Sequence, residues 1–240
     1  MAVDEVLAEC VLAGKSPPVL RFYGWRNKSV TIGALQPIKD VDVELCNIEG
    51  IDIVRRPTGG RAILHGEELT YSFSSGRLDG IFTDKLLDNY KLLNGVFLDA
   101  FKRLGINAEI SSRRLKKRDL MSSPLCFGST SYSEITVDGN KVMGAAQKRF
   151  TGGFLQQGSI MLLPDRRLTA KIFRKSEDHM LGICEITPAI TIDMLIVAIK
   201  DSFEDVFKIE LYRDCLCYQE EAQARSLAQK YCSKEWNYLK

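Results

Sequence analysis

The order of β-rich and helical segments is the feature that most constrains the fold of this chain. Short runs rich in β-branched and aromatic residues occupy the first two-thirds of the 240 residues, whereas the last third has mainly helical periodicity. The clearest hairpin joins residues 134–137 to 141–147 through Asp138-Gly139-Asn140, because the Asp-Gly pair supplies the positive φ of a tight turn. Hairpins followed by helices predict an α+β fold, with helices flanking a mixed or antiparallel sheet.

The other predicted elements follow from composition and spacing. Strands are predicted at residues 19–23, 30–32, 51–54, 62–64, 69–73 and 158–163, and helices at 4–12, 84–104, 190–207 and 220–231. The longest helix has apolar side chains at three- and four-residue steps. Because no Pro- or Gly-rich linker divides the chain, we predict a single domain over residues 1–240, with a helical subregion from about residue 166.

Composition and charge exclude several functional classes. The chain has 33 basic and 31 acidic residues, and its formal charge of +2 argues against a dedicated nucleic-acid-binding protein. Its longest apolar run, residues 194–199, is too short to cross a bilayer, and its acidic N-terminus differs from a signal peptide. We therefore expect a cytoplasmic protein with no nucleic-acid partner and no membrane partner.

The cysteines point to the same compartment. Seven cysteines are scattered along the chain without CxxC spacing, which favours free thiols under reducing conditions. Cys215 and Cys217 form a lone C-x-C with Cys232 downstream, but a zinc site would normally need a second ligand pair. We therefore predict no metal site.

The first stretch with potential chemistry is Arg-Arg-Pro-Thr-Gly-Gly-Arg-Ala-Ile-Leu-His, residues 55–65. Gly59 and Gly60 lack a Cβ, so their backbone can approach a ligand closely and their amides can hold an anion or a polarised carbonyl. Arg55 and Arg56 are predicted to lie on opposite faces of the strand, one inward and one outward. The alternative is a simple hairpin with a basic surface cluster.

Two further stretches carry a thiol and an amine. Cys126 lies in a small-residue loop ahead of a strand, where a thiol can be exposed and reactive, although a buried inert cysteine is the alternative. Lys141 opens a strand whose next residues are mostly small, so it could reach across a cavity toward a thiol or an oxyanion. The alternative for Lys141 is a lysine in water at the hairpin edge.

These three stretches, in this order, resemble the lipoate–protein ligase A and cysteine-dependent octanoyltransferase family of the biotin/lipoate A/B protein ligase superfamily. The first family signature matches RRPTGGRAILHGEELTYS at residues 55–72. The second is a Cys-Phe pair shortly before Tyr-Ser-Glu, here at 126–127 and 132–134. The third, Gly-x-Lys-Val-x-Gly-x-Ala-Gln-x-Arg, matches residues 139–149. The resemblance implies a biotin/lipoate protein ligase-like catalytic domain.

The resemblance also implies an activity and a set of site residues. An octanoyl group would move from acyl carrier protein, through a Cys126 thioester, to a lysine of a lipoyl carrier protein, with Lys141 favouring the thiolate. The acceptor would be the glycine cleavage H protein or the lipoyl domain of a 2-oxoacid dehydrogenase complex, and no cofactor is needed. The expected substrate-binding residues are Arg55, Arg56, Thr58, Gly59, Gly60, Arg61, His65, Gly144, Ala145 and Gln147.

Some positions depart from the family pattern. Gly66 stands where an acidic residue usually follows the motif histidine, which predicts that a polar contact is missing. The family also has a short strand ahead of the first helix, and this chain begins at the methionine that follows it. This start predicts either a longer protein upstream or a sheet without that strand.

Three alternatives to the octanoyltransferase remain open at this point. An ATP- and Mg²⁺-dependent lipoate–protein ligase would place Lys141 on the adenylate. However, such ligases have a glycine in place of Arg61, Arg-Asn-Asp in place of the Cys126 pair, and often an accessory domain. A lipoyl amidotransferase and a non-catalytic lipoyl-domain or lipoate binder are the others. The basic run at residues 113–118 is either a solvated loop or a dock for the acidic acyl carrier protein.

Overall fold

The computed structural model describes residues 1–76, 81–83, 85–111, 134–174 and 180–239. Its helices are α1 (Ala2–Leu12), α2 (Val43–Ile48), α3 (Leu86–Arg103), α4 (Arg166–Phe173), α5 (Ile183–Ile186), α6 (Ile192–Phe207), α7 (Tyr218–Cys232) and α8 (Lys234–Asn237). Its strands are β1 (Val19–Tyr23), β2 (Ser29–Ile32), β3 (Asp52–Arg55), β4 (Ile63–His65), β5 (Glu67–Gly76), β6 (Glu109–Ile110), β7 (Ile135–Val137), β8 (Asn140–Phe150) and β9 (Gly153–Leu163).

The strands form two sheets of different size. The large sheet has the order β1-β5-β9-β8-β7-β6, and its neighbours run antiparallel. The small sheet has the order β3-β2-β4, in which β2 is parallel to β3 and antiparallel to β4. Together with the flanking helices, these sheets confirm the predicted α+β fold.

One face of the large sheet packs against α3 and α6. The apolar positions of α3 recur at helical spacing, so Leu93 and Phe97 are buried against Tyr71 of β5 and Phe203 of α6. The small sheet has its own apolar cluster, which includes Val30 and residues of α2 and α4. The opposite face of the large sheet packs against α1, where Ser72 donates to Asp4, and it meets the small sheet at Ile63 and Met161.

The predicted hairpin is confirmed, and its turn has Asp138 at φ 50° and Gly139 at φ 75°. The structure also contains a longer hairpin that the sequence pattern did not indicate. β8 extends to Phe150 and β9 begins at Gly153, five residues before the predicted start. Residues 147–157 mix Gln, Lys, Arg and Gly with Phe and Leu, so they lack a clear strand composition, but β8 and β5 pair with β9 along this stretch and satisfy its backbone.

The helical predictions hold with small shifts at their ends. α1 begins at Ala2, two residues before the predicted start, and α6 begins at Ile192 rather than at residue 190. After β9 the described residues contain helices and connecting loops, as predicted from residue 166 onward. None of the helices in the described part of the chain is both long and apolar enough to cross a membrane.

Candidate active site

A cleft of about 350 Å³, open to solvent, lies between the two sheets. The small sheet and its loops contribute Thr31, Arg56, Ile63 and His65, while the large sheet contributes Thr70, Gly144, Ala145, Ala146, Gln157, Gly158 and Ser159. Met1 and Tyr23 complete the lining. Residues from the first and third sequence signatures therefore meet at one cleft, although 66 residues, 73–138, lie between the two signatures.

Arg56 holds the glycine loop beside the cleft, where Gly60 lies next to the cleft residue Ala146. Its guanidinium is buried and donates hydrogen bonds to the carbonyl oxygens of Gly59 at 2.8 Å and Arg61 at 2.7 Å. Gly60 has a φ of 84°, a left-handed conformation that favours glycine. Open space lies where a Cβ of Gly59 would be, so a ligand has room to approach this backbone.

Arg55 is also buried but makes different contacts. Its guanidinium donates to backbone carbonyls from two segments, the loop after β2 and the C-terminal residues. These are the carbonyls of Gly33, Ala34 and Gln36, and those of Trp236, Asn237 and Leu239. Burial lowers its pKa from the usual value. The prediction that one of the two arginines points outward is wrong, because both are buried. A direct substrate contact for Arg55 stays a prediction.

Thr58 joins the loop to the large sheet. Its hydroxyl donates to Gln157 Oε1 at 2.8 Å, and Gln157 in turn donates to Asp4 of α1 at 2.7 Å. Asp4 is fully buried and also accepts hydrogen bonds from Arg21 at 2.7 Å and Tyr23 at 2.9 Å. Burial, and then the neighbouring Asp4 carboxylate, raise the pKa of Tyr23 well above its usual value. These contacts connect α1 to the cleft.

Lys141 is fully buried in β8, so the alternative of a lysine in water is wrong. Its ammonium forms an ion pair with Glu134, whose side chain is 12% exposed. A register shift follows Ile135, which pairs with Met143, whereas Thr136 pairs with Lys141. Because Met143 and Ile135 face the core against α3 and α6, this register places Lys141 with Thr136 on the opposite face of the sheet. The cleft lies on that face, but Lys141 is not among the residues that line it.

His65 belongs to a buried polar network. Its Nδ1 contacts Glu68 Oε1, and its Nε2 lies 2.7 Å from Thr31 Oγ1. The hydroxyls of Thr70 and Ser159 donate to the same Glu68 oxygen at 2.8 Å and 2.7 Å. Glu68 is thus the acidic partner of His65, whereas the absence of a polar contact at Gly66 stays a prediction.

The remaining predicted residues lie along β8. Gly144 pairs with Ser159 and lines the cleft, as does Ala145, whose carbonyl accepts a hydrogen bond of 3.4 Å from Tyr90. Gln147 donates to Gln156 Oε1 at 2.6 Å, and Gln156 donates to the hydroxyl of Tyr71. Burial raises the pKa of Tyr71 well above its usual value, so this phenol acts as a neutral group.

Several predicted features lie outside the described residues. These are Cys126 with its loop, the basic run at residues 113–118, and the second histidine, His179. Conversely, sequence reasoning assigned no role to Glu68, Glu134, Asp4 or Gln157. Two of them lay within quoted signatures, and an acidic residue inside a strand of otherwise buried character is a signal that could have singled out Glu68.

The described cysteines and acidic residues do not assemble into a metal site. Within the ranges that the structure describes, no group of three or more His, Cys, Asp or Glu side chains could hold a metal ion. Cys215, Cys217 and Cys232 are exposed free thiols.

Comparison with known proteins places this cleft in a family. A family model described as "Lipoyl protein ligase A/B catalytic domain" matches residues 1–204. The chain belongs to this family. It is similar to a protein named octanoyltransferase LipM from Macrococcus caseolyticus, with 35% identity over 254 residues, 98% of this chain and 92% of that protein. A protein of the same name from Bacillus subtilis is 34% identical over 257 residues, 99% of this chain and 92% of that protein.

Solved structures support the same fold. A putative lipoate protein ligase from T. acidophilum with bound lipoic acid matches with a TM-score of 0.84 and 25% identity. The match covers 99% of this chain and 92% of that one. A lipoate-protein ligase A bound with ATP matches with a TM-score of 0.86 at 24% identity, covering 99% of this chain and 92% of that one, and shows the fold alone.

Proposed function

We propose that the protein is an octanoyltransferase, which moves an octanoyl group from a carrier-protein thioester to a lysine of a lipoyl carrier protein. The observation that carries the proposal is the meeting of Arg56 and His65 of the first signature with Gly144 and Ala145 of the third at one cleft. Full-length similarity to proteins named octanoyltransferase supports this choice over the ATP-dependent ligase. A lipoyl amidotransferase remains an outcome that the choice of donor would distinguish.

Cys126 is the proposed nucleophile. Its thiolate attacks the octanoyl thioester, the new C–S bond forms, and the donor's thiolate leaves and takes up a proton. The lysine amine of the acceptor then attacks the enzyme thioester, loses a proton, and returns the Cys126 thiolate. Since a thioester is exchanged for a thioester and then for an amide, the sequence of steps needs neither ATP nor Mg²⁺.

Lys141 is the proposed partner of Cys126. Its complete burial removes it from water, and its ammonium forms an ion pair with the Glu134 carboxylate. A desolvated ammonium stabilises a nearby thiolate far more than an exposed one does, because the field is poorly screened inside the protein. Backbone amides of the Gly59–Gly60 loop would hold the tetrahedral oxyanion, each contributing about 2.7–4 kcal/mol.

The cleft lining suits an acyl chain. Gly144, Ala145, Ala146 and Gly158 add little bulk to the wall, and Ile63 and Met1 add apolar surface. Roughly seven buried methylene and methyl groups at about 0.8 kcal/mol each would supply several kcal/mol of binding. The glycines are needed, because a Cβ at Gly158 would lie 2.3 Å from the ring of Tyr71.

The partners and setting are also proposals. An acyl carrier protein would be the donor, and the H protein or a lipoyl domain of a 2-oxoacid dehydrogenase would be the acceptor. The free thiols of the described cysteines support a reducing compartment, the cytoplasm. The Arg55 contacts join the C-terminal segment to the cleft-forming sheet, which supports one catalytic domain over residues 1–240.

A donor comparison tests the function. The protein is mixed with an apo lipoyl domain and either octanoyl-acyl carrier protein without ATP, or free octanoate with ATP and Mg²⁺. Mass spectrometry of the domain should show one octanoyl group with the thioester donor and none with the second mixture. Modification solely with free acid, ATP and Mg²⁺ would assign the ligase instead. Transfer solely from another octanoylated carrier domain would assign the amidotransferase.

A further inference from the structure

The polar network around His65 joins the two sheets through a continuous chain of hydrogen bonds. Glu68 of β5 contacts His65 of β4, and His65 contacts Thr31 of β2. Arg56 donates to Thr31 Oγ1 at 3.3 Å and continues to the carbonyls of the glycine loop. The four side chains of this network are each at most 5% exposed, so water competes little for their hydrogen bonds.

The hydrogen bonds of this network are consistent with one tautomer of the imidazole. The hydroxyls of Thr70 and Ser159 donate to Glu68 Oε1, and His65 Nδ1 contacts the same oxygen, so we assign a proton to Nδ1. Arg56 has only donors and donates to Thr31 Oγ1. We therefore assign the Thr31 hydroxyl as the donor to His65 Nε2.

Packing holds the ring in the same orientation. The indole of Trp25 stacks on His65, with a centroid separation of 4.1 Å and an interplanar angle of 19°. Trp25 also donates through Nε1 to Thr70 at 2.9 Å, and Thr70 donates to Glu68. The stacking partner is therefore tied to the same carboxylate as the ring.

Glu68 has a feature that stability alone does not explain. Its Oε2 is buried and has no hydrogen-bond partner among the described residues. A buried carboxylate oxygen without a donor is destabilising, and such exceptions call for a role beyond packing. The role must act through the groups that Oε1 organises.

We propose that Glu68 is a positioning residue. Through His65 and Thr31 it fixes the Arg56 guanidinium, and so it sets the position of the Gly59–Gly60 loop beside the cleft. Its effect on catalysis rests on the proposed function, whereas its effect on the loop does not. Glu68 acts at a distance, since three side chains separate it from the loop carbonyls. The loop would otherwise be held by Thr58 and by the Arg56 contacts alone.

Hydrogen exchange in the absence of substrate tests the proposal. Glu68→Gln keeps the shape but removes the charge, and should raise amide exchange of the loop at residues 58–61 about tenfold. Glu67→Gln is the matched control, because Glu67 is the exposed neighbour on the same strand and should leave exchange unchanged. Equal exchange in the two variants would overturn the proposal.

A second substitution, at another point in this series of hydrogen bonds, separates positioning from a general loss of stability. Thr31→Val removes the hydroxyl while leaving the Glu68 cluster in place, and should raise loop exchange by a similar factor. The double variant should exchange no faster than the more affected single variant, because both changes break one chain. If the increase in exchange of the double variant equals the product of the two single increases, the proposal is contradicted. Thr31→Val alone keeps the test valid if Glu68→Gln fails to fold, because unchanged loop exchange in Thr31→Val would overturn the proposal.

The tautomer gives a spectroscopic readout. With His179→Gln in the background, a long-range ¹H–¹⁵N spectrum contains His65 alone. Nδ1 should appear as the protonated nitrogen in the parent, and this assignment should be lost in Glu68→Gln. A protonated Nε2 in the parent would overturn the proposal. If loop and tautomer respond as expected but no octanoyl transfer occurs, the proposed function fails while the positioning role stands.

Discussion

Replacing Gly33 with alanine tests how strictly catalysis depends on the backbone position of the neighbouring Gly59–Gly60 loop. Gly33 follows β2, and a Cβ built on it would lie 1.9 Å from the carbonyl oxygen of Gly60. Real Cβ atoms keep about 3.0 Å from such an oxygen, so the Gly60 carbonyl must retreat by about 1.1 Å. The displacement falls on the loop that Arg56 holds.

The expected effect on catalysis follows from that distance. A misplacement of about 1 Å in a positioning element can reduce the rate about 100-fold. Since each factor of ten is about 1.4 kcal/mol, the variant should lose about 2.7 kcal/mol of transition-state stabilisation. The fold should survive, because the large apolar core between the large sheet, α3 and α6 does not include this contact.

The assay is kcat/KM for octanoyl transfer to a lipoyl domain, with circular dichroism to verify the fold. Gly24→Ala is the matched control, because a Cβ at Gly24 meets nothing within 4 Å and should leave kcat/KM unchanged. A Gly33→Ala protein that is folded and within twofold of the wild-type kcat/KM would refute the reasoning.

Three further predictions concern the buried lysine, a helix and an ion-pair network. Lys141→Met should reduce transfer at least about 100-fold and move the pH midpoint of Cys126 alkylation by iodoacetamide up toward about 8.5, whereas the exposed Lys102→Met should do neither. Gly95→Ala, on the exposed side of α3 with nothing within 4 Å, should raise the free energy of unfolding by about 0.5–1 kcal/mol in urea titrations. Burial raises the pKa of Glu5, but hydrogen bonds from Lys230 and Tyr231 outweigh it, so the net pKa lies below 4.5. The stability advantage of wild type over Glu5→Gln should be full above pH 4.5 and be lost as pH falls through the lowered pKa; an advantage that does not change with pH would contradict this.

Much of the fold could be predicted because several strands and helices are determined by residues that are neighbours in the sequence. The Asp-Gly turn determined the β7–β8 hairpin, and apolar spacing determined α3, since both depend on neighbouring residues alone. The β8–β9 hairpin could not be predicted in the same way. Its Gln and Lys side chains lack strand propensity, and pairing on both sides of β9 overrides that preference.

The residues of the site lie in sequence signatures and could be predicted, whereas their contacts depend on tertiary packing and could not. The signature residues Arg56, His65 and Gly144 line one cleft, whereas their roles in binding stay predictions. The burial of both Arg55 and Arg56 was missed, because only tertiary packing supplies the many backbone carbonyls that make a buried guanidinium stable. The partner of His65 was missed too, since the acidic residue lies three positions away, on the next strand.

The central claim is that an octanoyl group passes through Cys126, and a chase experiment tests it most directly. The protein is incubated with octanoyl-acyl carrier protein, separated from the donor, and then given an apo lipoyl domain without ATP. Intact mass spectrometry should show one octanoyl group on the protein, which then moves to the domain as the protein returns to its original mass. Cys126→Ser should acquire no transferable group. An acylated Cys126→Ser that still transfers, or a wild-type protein that modifies the domain without ever carrying the group, would contradict the account.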